Sequence, residues 1–280
     1  MQEELNLQTD LLSENMSEKE EMKDITKEAS SKEETSSSFV LDIHNLSKMY
    51  GVFSAVNNLT LQVKKGEIFG FLGHNGAGKT TTINMLTTLL EPSSGSGTVA
   101  GYDIVEEALE VRRKIGYLPE NVRFYDSMTA YENLDYFARL SGISKPDSRI
   151  WDVLDFLDAR TYAHKKISTL SKGMRQRIGI AQAIIHEPEI LFLDEPTSGL
   201  DPFGVKQLRD VILRLNSEKG ITIFMNTHLL QEVTKTCSTI GVLNHGNLIY
   251  LDSLSNTMKR FRDEKSLEDI YLNIENSKEE

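Results

Sequence analysis

The chain has 280 residues, 39% of them hydrophobic, which is enough for one large domain or two small ones around a buried core. Its formal net charge of −11 argues against nucleic acid as the main ligand, because neutralising a phosphate backbone needs basic patches. The single cysteine, Cys237, excludes an intrachain disulfide and fits a reducing, cytoplasmic setting.

The opening residues, MQEELNLQTD, have neither a basic start nor an apolar core and do not read as a secretory signal. No apolar run approaches the ~18 residues needed to cross a bilayer, so any work at a membrane would go through a partner. Residues 1–38 hold eleven acidic side chains against four lysines and end in low-complexity EASSKEETSSS. That composition predicts a disordered acidic tail. Folded pattern begins at FVLDI. LTLQV alternates as a half-buried strand does, KKGE turns the chain, and IFGFL is a continuous apolar run typical of a strand buried on both faces. Residues 79–90 read as a helix, SSGSG as a turn, TVAGYDI as a short strand, and KIGYLPE as a strand stopped by Pro119.

Residues 129–140 carry helical spacing and open with Thr129 and Glu132 in capping-box positions. A helix over roughly 147–157 holds the only tryptophan, Trp151, read as a core residue. GMRQRIGIAQAII is an amphipathic helix and EILFLD a buried strand. The next helix has Asp201 as N-cap and Pro202 at its first position. GITIFMNTH and STIGVLNHG supply further strands, and no internal repeat is visible. Strand–helix alternation predicts a mainly parallel sheet covered on both faces, interrupted by a helix-rich stretch over about 122–182.

Between IFGFL and its helix lies GHNGAGKTT, which matches G-x-x-x-x-G-K-[ST] in a strand–loop–helix context. Glycines let such a backbone curl so that its N–H groups point at phosphate oxygens, and the helix N-terminus adds partial positive charge. The cradle comprises Gly73, His74, Asn75, Gly76, Ala77, Gly78, Lys79, Thr80 and Thr81. Lys79 would reach the β- and γ-phosphates and Thr80 would ligate Mg²⁺. His74 fills a variable position of the loop and would meet phosphate only by proximity. In ILFLDEP, two carboxylates end an apolar strand, where open α/β sheets place ligands. Beside the phosphate loop, Asp194 would hold Mg²⁺ and Glu195 would accept the proton from an attacking water. In LSKGMRQR, Ser171 is either a plain helix N-cap or, with Gly173, part of a second anion site that closes over another subunit's nucleotide.

In this order and spacing, GHNGAGKTT, LSKGMRQR, ILFLDEPTSGLD and MNTH resemble the nucleotide-binding subunit of ATP-binding cassette (ABC) transporters, from about Phe39 to Asp252. The resemblance implies the P-loop ABC ATPase fold: an α/β protein with a parallel-sheet core, a small antiparallel β subdomain and an inserted helical subdomain. It implies a domain over 39–252 with a short C-terminal helical tail over 253–280. It also implies ATP and Mg²⁺ as cofactors and ATP hydrolysis driving a separate membrane-spanning subunit. By the same resemblance Tyr50 would stack on adenine, a core aromatic being the alternative, and His228 would contact the γ-phosphate and hold the attacking water. Asp201 would be both helix cap and cross-subunit contact. The unit would be a homodimer holding two ATP molecules, cytoplasmic and peripheral on the inner face of the membrane through its partner.

Two departures stand out. Lys172 and Met174 replace Gly and Gln of the common Leu-Ser-Gly-Gly-Gln signature, and Glu120, a candidate Mg²⁺ ligand, stands where most members have Gln. Both changes, and the tail SLEDIYLNI, resemble the drug-resistance and sodium-extrusion exporter subgroup. The rival reading is a soluble ABC ATPase acting on ribosomes or DNA. Relatives of the first kind usually carry two cassettes in one chain, and those of the second separate the two nucleotide motifs by a long coiled coil. A module that only binds ATP would need neither Glu195 nor His228.

Overall fold

The computed structural model describes residues 38–261 and 269–271. The chain divides into two compact units, Met1–Phe39 and Val40–Glu280. The first, with the acidic tail expected there, lies almost wholly outside the described residues. The second begins with two long strands, β1 (Phe39–Tyr50) and β2 (Phe53–Lys64). In β2, Leu59, Leu61 and Val63 are buried while Thr60, Gln62 and Lys64 face water, so alternation in sequence becomes one buried face. With β4 (Ser94–Val99) and β5 (Tyr102–Asp103) they form a four-stranded sheet in the order β2-β1-β4-β5. The SSGSG stretch, expected as a turn, is therefore largely strand. The cause is a bulge where β1 and β4 shift register between His44 and Ser47. Gly95 takes φ +84 there, and a Cβ on it would lie 2.3 Å from the Asn45 carbonyl oxygen.

The second sheet has six strands: β3 (Ile68–Leu72), β6 (Ile115–Leu118), β7 (Ile190–Asp194), β8 (Thr222–Asn226), β9 (Thr239–Asn244) and β10 (Asn247–Ser253). Their order is β10-β9-β3-β8-β7-β6, parallel except for β10, which runs antiparallel to β9. Both faces are buried. On one, Phe69, Phe71, Phe192 and Phe224 pack with centroid distances of 5.1–5.5 Å around Phe224, in a core shared with the four-stranded sheet and with α1 (Lys79–Leu86). On the other, Leu191, Leu193, Ile223 and Met225 share a core with the helices. Each fully buried side chain of this kind contributes about 1.5–3 kcal/mol relative to an exposed one, so this two-sided burial holds the strand ends in place.

After α2 (Ala108–Lys114), the helix-rich stretch holds α3 (Ala130–Leu140), α4 (Asp147–Phe156) and α5 (Lys172–Ile184). The expected capping box is present: Glu132 N–H donates to Thr129 Oγ1 at 3.1 Å and Thr129 N–H to Glu132 Oε2 at 2.7 Å. Trp151 is half-buried rather than fully core. Its ring lies 5.2 Å from that of Tyr131, and the Arg160 guanidinium covers it at 4.7 Å. α1 ends at Leu86, short of the expected residue 90. Thr88 takes φ 61, and the N–H groups of Leu89 and Leu90 both donate to the Asn84 carbonyl, closing the helix. The remaining helices are α6 (Pro202–Lys219), α7 (Leu230–Thr236) and α8 (Leu254–Arg260). Of the stretch beyond α8, residues 269–271 are helical, and Ile270 is buried in the helix-side core.

Candidate functional site

Four neighbouring parallel strands, β3, β8, β7 and β6, end on one edge of the six-stranded sheet. Beyond them come, in turn, the Gly73–Thr80 loop, Asn226 to His228, the Asp194–Glu195 pair and Glu120. Adjacent register brings Asp194 opposite Asn226 across β7 and β8. A cavity of about 640 Å³ opens at this edge. It is lined by Tyr50, Asn75, Gly76, Gly78, Lys79, Thr80, Thr81, Glu120, Glu195 and His228, all expected site residues, together with Phe53, Ala55, Ser198 and Asn226.

The loop is shaped by its glycines. Gly78 adopts φ 107 as the N-cap of α1, and a Cβ there would lie 2.3 Å from the Ala55 carbonyl oxygen. Gly73 lets the loop approach β9, where a Cβ would lie 2.4 Å from Leu243 O. Lys79, 6% exposed, donates from Nζ to Gly73 O at 2.6 Å and His74 O at 3.1 Å. Burial lowers its pKa, and the Glu195 and Asp194 carboxylates oppose that. The His74 ring turns away from the cavity. Its Nδ1 donates to Asn75 O at 2.7 Å, its Nε2 lies 3.1 Å from Asn244 Oδ1, and it packs 4.9 Å from the His245 ring.

Asn226, fully buried, organises the two acids. Its Nδ2 donates to Asp194 Oδ1 at 2.6 Å, and its Oδ1 accepts from Glu195 N–H at 2.8 Å. The second bond pins Glu195 at φ 47, a left-handed conformation that costs a side-chain-bearing residue about 1–2 kcal/mol. Thr80 Oγ1 donates to the same Asp194 oxygen at 3.3 Å, across 114 residues of sequence. Burial raises the pKa of Asp194; hydrogen bonds from Asn226 and Thr80 pull it back, and the charges of Glu195 and Glu120 push it up again. His228 Nδ1 lies 2.8 Å from Glu195 Oε2. A carboxylate only accepts, so the proton sits on Nδ1 and Nε2 is free. Glu120 Oε1 accepts from Ser198 Oγ at 3.3 Å.

Thr80, Asp194 and the nearby Glu120 form a hard oxygen set with surplus negative charge, which fits Mg²⁺. Among the described residues no three His, Cys, Asp or Glu side chains cluster as a metal site. A divalent ion here would thus draw ligands from a hydroxyl, phosphate oxygens and water as well.

Ser171, Gly173 and Asp201 are not brought to this cavity. They line a separate one of about 410 Å³ with Lys172, Met174, Gly199 and Phe203. Ser171 caps α5 through Met174 N–H at 3.3 Å, and Asp201 caps α6 through Gly204 N–H at 2.7 Å.

Sequence reasoning passed over Phe53 and Asn226. Phe53 sits three residues after Tyr50, and Asn226 stands in MNTH two residues before His228; the resemblance assigns a role to Tyr50 and His228 alone.

The family model for ABC transporters matches residues 56–198. The chain is 41% identical over 225 residues to the bacitracin transport ATP-binding protein BcrA of Bacillus licheniformis, covering 80% of this chain and 73% of that protein. It is 37% identical over 223 residues to the linearmycin resistance ATP-binding protein LnrL of Bacillus subtilis, covering 79% and 71%. A solved dimeric ATP-binding cassette in a post-hydrolysis state, bound to ADP and Pi, superposes with a TM-score of 0.69 at 26% identity, covering 76% of this chain and 98% of that one.

Proposed function

The chain belongs to the ABC transporter family as an ATP-binding subunit and ATPase, and on that premise we propose how its residues bind and cleave ATP and what it drives. The observation that carries the reading is the continuous hydrogen-bonded chain Thr80–Asp194–Asn226–Glu195–His228 on the wall of the cavity that holds Lys79.

Lys79 now donates to neutral carbonyls. Phosphate oxygens offer it charge-assisted bonds roughly twice as strong, and they offset the burial that lowers its pKa. The backbone of Asn75 to Thr81 wraps the phosphates at the start of α1. Tyr50, 51% exposed, and Phe53, 62% exposed, stand on the same cavity as the two aromatic faces available to a base. Thr80 and Asp194, with Glu120 close by, would hold Mg²⁺, which when bound neutralises charge on the β- and γ-phosphate oxygens. Glu195 takes a proton as a water oxygen attacks the γ-phosphorus and ADP leaves. His228, anchored to Glu195 through Nδ1, accepts a hydrogen bond from that water at its unprotonated Nε2 and so holds it in line; a second ring proton would let Nε2 donate to the γ-phosphate instead.

The signature cavity lacks a phosphate loop of its own, so two chains pair head to tail. The loop of each faces the Ser171–Gly173 turn of the other, as a homodimer. Asp201, on the same cavity, borders the partner's nucleotide. Among the described residues no helix is long and apolar enough to cross a membrane. As the ATP-binding subunit of a transporter, like the relatives it matches, the chain would drive a separate membrane-spanning subunit from the cytoplasmic face. The names of BcrA and LnrL support export of an antibiotic-like compound. Affinity capture of the tagged chain from detergent-solubilised membranes tests this: a multi-span protein in stoichiometric amount is expected, and recovery of ribosomal proteins instead would overturn it.

A further inference from the structure

His228 is placed by what lies on either side of it. Before it, β8 ends at Asn226, and the buried Thr227 donates from its N–H to Phe71 O at 3.4 Å. After it comes α7, seven residues long, with no side-chain hydrogen bond at its N-cap, Leu229. So short a helix is not stable alone, because the cost of nucleation is repaid by too few hydrogen bonds. It keeps its place through contacts with the rest of the fold.

Two contacts supply that place. Val233 and Cys237 lie against β3 at Gly70, where a Cβ would come within 3.3 Å of Val233 Cγ1 and 2.8 Å of Cys237 Sγ. Beside them, Arg209 Nη1 donates to both oxygens of Glu232, at 3.1 Å and 2.9 Å. With side chains 17% and 12% exposed, this is the most enclosed ion pair among the described residues. Exposed pairs contribute little, whereas an enclosed pair fixes its geometry, since either charge left alone would be desolvated without a partner. Lys235 approaches the same carboxylate only at 3.9 Å and from a half-exposed position.

Arg209 belongs to α6, which starts at Asp201 just beyond Glu195. The turn between them is tied back to Glu195, whose carbonyl accepts from Ser198 N–H at 3.1 Å. The two segments are therefore cross-linked twice. His228 Nδ1 meets Glu195 Oε2 at 2.8 Å at one end, and Glu232 meets Arg209 at the other. The His228 ring, 51% exposed, has no second hydrogen bond among the described residues, so its aim depends on where α7 sits.

The structure assigns Arg209 and Glu232 as positioning residues for hydrolysis: their ion pair holds α7 to α6, and α7 holds His228 on Glu195. Neither residue lines the nucleotide cavity, so the pair acts on the chemical step and not on binding. This rests on the reading above that His228 and Glu195 together handle the attacking water.

The test uses the full chain, alone and with His228→Ala, each combined with Glu232→Gln or Arg209→Lys. Phosphate release in a single turnover at saturating Mg-ATP gives the rate, fluorescent-nucleotide titration the affinity, and thermal melting the fold. Glu232→Gln is expected to slow the single turnover about tenfold while ATP affinity stays within about twofold. Arg209→Lys keeps the charge but loses the planar fork, and should slow it about threefold with little change in melting temperature. With His228 already Ala, either substitution should cost less than about twofold more, because the residue they position is gone. A loss as large in the His228→Ala chain as in the parent would reduce the pair to general stability and overturn the proposal alone, as would parental rates in both variants. A His228→Ala chain that hydrolyses at the parental rate would overturn the reading of His228 and the proposal with it.

Discussion

At the strand-edge cavity every ionisable side chain on the wall that bears on phosphate chemistry has an internal partner. Lys79 bonds to two carbonyls, Glu195 to His228, and Glu120 to Ser198. At the signature cavity, built from a helix N-terminus and a turn, the exposed Lys172 has neither an ion pair nor a hydrogen bond among the described residues. The difference is architectural. Parallel strands packed on both faces hold their ends in register, so groups far apart in sequence meet within one chain. A helix start that faces outward has no such neighbours. On the reading proposed above, the first cavity holds a nucleotide by itself, and the second meets the nucleotide held by another chain.

The largest expected effect strikes the self-sufficient side. Lys79→Ala should weaken ATP binding by about two orders of magnitude or more, since it removes two charge-assisted contacts at ~1.5–3 kcal/mol each. Calorimetric titration of the purified chain measures it. Unchanged affinity would place the phosphates elsewhere. Glu195→Gln comes next. Losing a positioned base slows hydrolysis ~10²- to 10⁴-fold, while ATP affinity stays near the parent value. Phosphate release under single-turnover conditions separates the two quantities. A variant that hydrolyses at the parental rate would remove Glu195 from the role of base.

Much of this contrast was legible in the residues, but unevenly. GHNGAGKTT between an apolar strand and a helix pointed to a phosphate cradle because its glycines let the backbone curl at that seam and a lysine and two threonines follow. Thr129 with Glu132, and Asp201 with Pro202, announced helix starts because capping is local chemistry. The strand order of the six-stranded sheet was not legible, nor was the part played by Asn226, whose two bonds join residues 31 and 32 positions away. The strand over Ser94–Val99 was hidden because glycine and serine mark turns, and only the bulge beside Asn45 gives them a reason to lie in a sheet. The extent of α1 was misjudged for a similar reason, since nothing in TTLL signals a left-handed Thr88.

A smaller effect probes the other side of the comparison. Ser171→Ala removes the cap of α5, worth about 1 kcal/mol, and should lower the melting temperature by about 2–4 °C. Single-chain ATP affinity should hold, and steady-state hydrolysis should fall about tenfold because the second face of the nucleotide loses a donor. If binding by the single chain fell in step with hydrolysis, Ser171 would act on its own chain's nucleotide and the division between the two cavities would collapse.

The smallest effect concerns Glu120, which joins the strand-edge cavity to the turn that leads to the other. Its Oε1 accepts from Ser198 Oγ, next to the Gly199 against which Lys172 lies. Its charge also helps to raise the pKa of Asp194. A carboxylate near the γ-phosphate is a harder ligand for Mg²⁺ than an amide, but it repels the phosphate when the ion is withheld. Glu120→Gln keeps an oxygen for Ser198 and removes only the charge. Hydrolysis should therefore stay within about tenfold, a change of at most ~1.4 kcal/mol in the barrier. ATP should bind the variant more tightly than the parent in EDTA and with near-equal affinity in excess Mg²⁺. Titrating both proteins under both conditions gives the ratio of affinities for each. A steeper Mg²⁺ dependence in the parent shows that Glu120 senses the ion. Equal ratios would confine Glu120 to holding Ser198, and it would then act only on the turn between the two cavities.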